Sequence, residues 1–107
     1  MYSFKKESRL LSKRDFRILQ QEGRRLVGKH FCVDVRPAKR LRLGITASGR
    51  YGPAHERNRF KRLIREAFRL HQACLPSADL HVVPRQRAKG ARFTDIATEL
   101  LALFDGK

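Results

Sequence analysis

Three stretches set the architecture: HFCVDV from His30 to Val35, LRLGITA from Leu41 to Ala47, and ERNRFKRLIREAFRLHQAC from about Glu56 to Cys74. The first two alternate. Phe31, Val33 and Val35 fall on one side of their segment and His30, Cys32 and Asp34 on the other. Leu41, Leu43, Ile45 and Ala47 likewise oppose Arg42, Gly44 and Thr46. A period of two predicts half-buried strands, each with one apolar and one polar face. In the third stretch Phe60, Leu63, Ile64, Ala67 and Phe68 recur at three- and four-residue spacing, continued by Cys74 and Leu75. At about 100° per residue they gather on one arc of a helix.

The neighbouring residues punctuate these elements. Pro37 suits the connection between the strands, Ser48-Gly49-Arg50-Tyr51-Gly52-Pro53 a loop before the helix, and Pro76-Ser77 its stop. Upstream, Ser12-Lys13-Arg14-Asp15 reads as a helix cap with a carboxylate in the first turn; Phe16 and Leu19 share a face, and Gly23 ends the helix. Downstream, Leu80 to Val83 is a short strand, and Thr94-Asp95 opens a last helix carrying Ile96, Leu100, Leu101 and Phe104 on one face. The expected order is helix, strand, strand, helix, strand, helix. This is an α+β fold with helices packed on a single small sheet. No repeat or linker divides the 107 residues, so one domain over 1–107 is expected.

Charge narrows the function. Twenty-five Lys and Arg against ten Asp and Glu give +15. Such an excess repels itself in a compact chain and suits a polyanionic partner. Arg outnumbers Lys, and its planar fork matches phosphates better than an ammonium does. Cys32 and Cys74 form no C-x-x-C pair, and no His lies at ligand spacing from them, so both read as reduced packing residues of a cytoplasmic protein. No run reaches the length of a membrane span, and the first residues hold no apolar segment of signal-peptide length.

On the helical wheel, Asn58, Lys61, Arg62, Arg65 and Arg69 fall roughly opposite the apolar arc, with Arg57 and Arg59 at its two margins. Only Glu56 and Glu66 offset this charge. Like charges four apart, such as Lys61 and Arg65, destabilise an isolated helix by a few tenths of a kcal/mol. Phosphates compensate, because each neutralised contact also releases counterions.

Over thirteen consecutive positions, Arg57-Asn58-Arg59-Phe60-Lys61-Arg62-Leu63-Ile64-Arg65-Glu66-Ala67-Phe68-Arg69 resembles the signature of the bacterial ribonuclease P protein-subunit family. Arg9-Leu10, Asp15-Phe16, Gly23-Arg24, Leu43-Gly44-Ile45-Thr46 and Asp79 to Val83 extend the resemblance over about residues 9–104. It implies an αββαβα order with a left-handed βαβ crossover of a ribosomal-protein-like fold. It also implies a division of labour: an RNA subunit hydrolyses the phosphodiester with Mg²⁺, and the protein assists removal of the 5′ leader from precursor tRNA. By the resemblance, Arg57, Asn58, Arg59, Arg62 and Arg69 bind the RNA subunit, and Phe16, Cys32, Asp34, Lys61 and Arg65 bind the leader. The chain departs from the family's pattern at Ser48-Gly49-Arg50, which lacks one cation. Gln20 and Asp34 also stand where relatives carry aromatic residues, which implies weaker leader binding.

Two other readings are possible. A stand-alone nuclease would use His55 and Glu56 for acid–base chemistry, yet no second matched group accompanies them. The carboxylates show no pair spaced for two metal ions, so no catalytic or metal-binding residue is expected on this chain. A different RNA-binding protein of ribosomal type fits the composition equally well, and the thirteen-residue segment disfavours it.

Overall fold

A computed structural model of the chain describes residues 13–104, apart from the side chains of Lys13, Asp15, Phe16 and Gln20. The expected cap at Ser12 and the match at Arg9-Leu10 lie outside the described residues. The elements are α1 (Lys13–Glu22), β1 (Arg24–Val27), β2 (Phe31–Pro37), β3 (Arg42–Ile45), α2 (Ala54–His71), β4 (Ala78–Pro84) and α3 (Phe93–Phe104). Single 3₁₀ turns, Gln72–Cys74 and Gln86–Ala88, follow α2 and β4.

The strands form one sheet in the order β1-β2-β4-β3. β1 and β2 are antiparallel, as are β2 and β4; β3 and β4 are parallel, joined by the crossover through α2. The α+β class with helices on a single sheet is as the sequence indicates. β1 is an addition. Two of its four residues are Arg, it shows no alternation, and it lies at the sheet's edge, where Val27 is 62% exposed.

Register carries the alternation across the sheet. Val33 pairs with Val82 and Leu43 with Leu80, and all four are buried. With Phe31 they meet Phe60, Ile64, Ala67 and Phe68 of α2 and Ile96, Ala97 and Leu100 of α3 in one core. Val35 and Ile45 are half-buried against it. Phe31 and Phe60 pack edge to face with centroids 6.3 Å apart, and Tyr51 lies 5.8 Å from Phe60 on the other side. Burying such a side chain contributes about 1.5–3 kcal/mol each.

Two close approaches fix the ends. Gly23 donates its N–H to the Leu19 carbonyl at 2.8 Å, closing α1. A Cβ on Gly23 would stand 2.4 Å from that oxygen, so a side chain there would displace backbone. At the other end, Arg92 donates its N–H to the Asp95 carboxylate at 3.0 Å, which puts the cap of α3 at Arg92, two residues before Thr94.

Candidate nucleic-acid interface

α2 turns the sequence periodicity into two faces. Phe60, Ile64, Ala67 and Phe68 are buried; Asn58, Arg59, Arg62 and Arg65 are exposed; Arg57, Lys61 and Arg69 are in between. Both carboxylates of the helix are engaged. Glu66 pairs with Arg69, which holds the Glu66 carboxyl below the usual carboxylate range through that hydrogen bond. Glu56 lies 3.9 Å from the Lys89 ammonium, which also stands 5.6 Å from the centre of the Tyr51 ring. Burial and the nearby Glu56 raise the Tyr51 phenol above its ordinary value.

Arg59 donates to the Ala91 carbonyl, tying α2 to the turn that precedes α3. Among the described residues no carboxylate lies within ion-pair distance of Arg57, Lys61, Arg62 or Arg65. The face therefore carries positive charge at Arg57, Lys61, Arg62 and Arg65 that the described residues do not neutralise. Arg57 is half-buried, as its margin position implies, and its Nε is buried without a hydrogen-bond partner among the described residues.

The polar face of the sheet is built from residues that alternate with the core. Directly across the strands, Arg25, Asp34, His81 and Gly44 form one row, and Arg36, Asp79 and Arg42 the next. Asp34, Asp79 and His81 are 3%, 1% and 2% exposed. α1 contacts β2 and β4, and its Leu19 is buried yet lies outside the main core, which puts α1 over this face. Buried carboxylates need partners. Asp34 accepts from Arg25 Nε and Nη2 at 2.8 and 3.0 Å, and Asp79 from Arg42 Nε and Nη2 at 2.8 and 2.9 Å. His81 Nε2 is 2.8 Å from the Thr46 hydroxyl and Nδ1 is 3.7 Å from Asp34. Desolvation pushes the His81 pKa down, partly opposed by Asp34.

The expected leader residues separate accordingly. Cys32 and Asp34 share the polar face, with Cys32 half-buried, and α1, which carries Phe16, lies over it. The Phe16 side chain lies outside the described residues. Lys61 and Arg65 stand on α2, across the sheet, about 160° and 120° around the helix from Arg59 and its α3 contact. Asp34 offers no open carboxylate, because the fork of Arg25 and the cover of α1 take it up. Alternation alone placed Asp34 on the polar face but could not show its burial. Arg25 was missed because β1 was.

A third cluster closes the β1–β2 turn. Glu99 of α3 accepts from the backbone N–H groups of His30 and Phe31, and its Oε1 is 2.9 Å from His30 Nδ1. His55 is exposed beside Glu56, and among the described residues no group of three or more His, Cys, Asp or Glu could hold a metal ion.

A small α+β fold whose helix face is rich in exposed guanidinium groups has the character of a polyanion-binding protein. Comparison with known proteins gives the family. The family model described as ribonuclease P matches residues 4–106. The ribonuclease P protein component of Desulfosudis oleivorans is 37% identical over 106 residues, covering 96% of this chain and 88% of its own. That of Chlamydia abortus is 40% identical over 85 residues, or 77% of this chain, which spans 61% of that relative's length. In three dimensions the Staphylococcus aureus ribonuclease P protein superposes with a TM-score of 0.82 at 32% identity, over 92% of this chain and 93% of that one. The Thermotoga maritima protein gives 0.82 at 33% identity, over 90% and 94%. The chain belongs to the ribonuclease P protein family.

Proposed function

We propose that this chain is the RNA-binding protein subunit of a ribonuclease P holoenzyme, assisting a catalytic RNA in endonucleolytic removal of the 5′ leader from precursor tRNA. The observation that carries this reading is the exposed face of α2, where Asn58, Arg59, Arg62 and Arg65 stand outside a core that buries Phe60, Ile64, Ala67 and Phe68. Arg57, Asn58, Arg59, Arg62 and Arg69 bind the RNA subunit, and residues 1–107 act as one RNA-binding domain. The leader runs over the polar sheet face, against Phe16 and Cys32, with Lys61 and Arg65 supplying charge from the flank of α2. Asp34 contributes through Arg25 rather than by direct contact, since it is buried. Phosphodiester hydrolysis and the Mg²⁺ it uses belong to the RNA subunit, the division of labour that membership of the ribonuclease P protein family suggests. The working compartment is the cytoplasm, where precursor tRNA is made; among the described residues no helix is long and apolar enough to cross a membrane.

The test is a cleavage assay on precursor tRNA with RNA subunit alone, protein alone, and both, across a Mg²⁺ titration. The protein alone leaves the substrate intact, and its addition lowers the Mg²⁺ that the RNA subunit requires. Metal-dependent cleavage by pure protein, lost on changing His55 or Glu56, would place the chemistry on this chain and overturn the reading.

A further inference from the structure

The edge strand β1 holds a feature that the α2 face does not. The Arg25 side chain is 51% exposed while its partner Asp34 is 5% exposed. Asp34 takes Nε and one Nη2 hydrogen in a two-point fork at 2.8 and 3.0 Å. A guanidinium has five N–H donors, so three remain, and the fork fixes where they point. Nη1 has no partner among the described residues. Rotamer freedom that a surface Arg ordinarily loses on binding is therefore already lost in the fold.

The surroundings are cationic and open. Arg24 and Lys29 are exposed on the same strand and its turn, so the nearby charge stays positive after Asp34 is counted. β1 pairs only with β2, which leaves its other edge without a strand. Such an edge presents backbone N–H groups as further anion donors. Arg42 repeats the fork on Asp79 at β3, so buried carboxylates hold guanidiniums at both edges of the sheet. Arg36 faces two carboxylates at longer range, 3.5 Å from Asp79 and 3.7 Å from Glu22.

We infer that the outer edge of β1 is a phosphate-binding site for the single-stranded leader, with Arg25 as its contact residue and buried Asp34 as the residue that positions it. This rests on the proposed role in leader binding and adds a site to it. A phosphate oxygen accepts from the outward N–H groups of Arg25, and Arg24 and Lys29 contribute field rather than fixed geometry. Nothing is transferred; the interaction is binding only.

The experiment uses the reconstituted holoenzyme, with precursor tRNA carrying a leader and the same tRNA without one. Affinity is measured across a salt titration for the parent, Arg25→Gln, Arg25→Lys, and the double variant Arg25→Gln/Asp34→Asn. Arg25→Gln is expected to lose about tenfold in affinity for the leader-bearing RNA, the scale of one charge-assisted hydrogen bond. It leaves the leaderless RNA unchanged and reduces the salt slope by about 0.7, the value for one single-strand phosphate contact. Arg25→Lys keeps the charge without the fork and loses less. The double variant leaves no unpaired buried carboxylate, so it reads the same loss in a chain whose fold is spared that penalty. Leader-bearing RNA bound by the double variant as by the parent would overturn the β1 site while leaving the leader reading in place. A parent that binds both RNAs equally would overturn both.

Discussion

His81 shows how one residue can be polar, buried and consequential at once. It sits on the central strand with 2% exposure, held between the Thr46 hydroxyl and the Asp34 carboxylate. Desolvation lowers its pKa, so the folded chain binds a proton there less readily than the unfolded chain. The unfolded form then holds more protons as pH falls below about 6.5, and stability drops with it. Above that value the contribution is fully present. The His81→Gln variant keeps a polar group beside Thr46 but cannot titrate. Its stability relative to the parent is expected to improve as pH falls from 7 to 5, by at most about 1.4 kcal/mol per pH unit. Urea denaturation at a series of pH values measures this. A constant difference between the two chains would mean that His81 keeps the same proton in both states.

At the scale of elements, the body of α2 was legible because burial and charge repeat with the same helical period, but the helix stops at His71, and Cys74, expected to pack, lies exposed in the 3₁₀ turn that follows. β2 and β3 were legible for the same reason at period two, and their register was right: Phe31, Val33 and Leu43 are inside. β1 was not, since an edge strand of Arg24, Arg25, Leu26 and Val27 buries too little to impose a pattern. The candidate site divides the same way. Its α2 residues could be read from the wheel, whereas the pairing of Arg25 with Asp34 depends on a register that no local signal specifies. If the α2 face binds RNA phosphates, Arg62→Ala is expected to weaken binding to the RNA subunit and flatten its salt slope by about 1 per lost contact. Arg62 is exposed, so thermal melting stays as in the parent. Salt titrations of binding check this, and a slope equal to the parent's would leave Arg62 as solvated surface.

Across the whole molecule, a net charge of +15 sets folding against function. Self-repulsion is screened by salt, as is attraction to RNA, so the two respond in opposite directions. Raising NaCl from about 0.05 to 0.3 M is expected to raise the Tm of the free protein while RNA affinity falls. A gain of about 1 kcal/mol corresponds to about 4–8 °C for a chain of this size. A melting temperature that falls with salt would show that ion pairs such as Arg25–Asp34 and Arg42–Asp79 outweigh the global repulsion. The Glu99 clamp has a consequence for how the chain is made. Its carboxylate holds the His30 and Phe31 amides from 69 and 68 residues further along. During synthesis the β1–β2 turn therefore lacks this clamp until nearly all of the described chain has left the ribosome. Central β4 also arrives late, after both of its neighbours. Until then the cations of α2 travel on an incomplete sheet, close to a great deal of RNA that is not their partner.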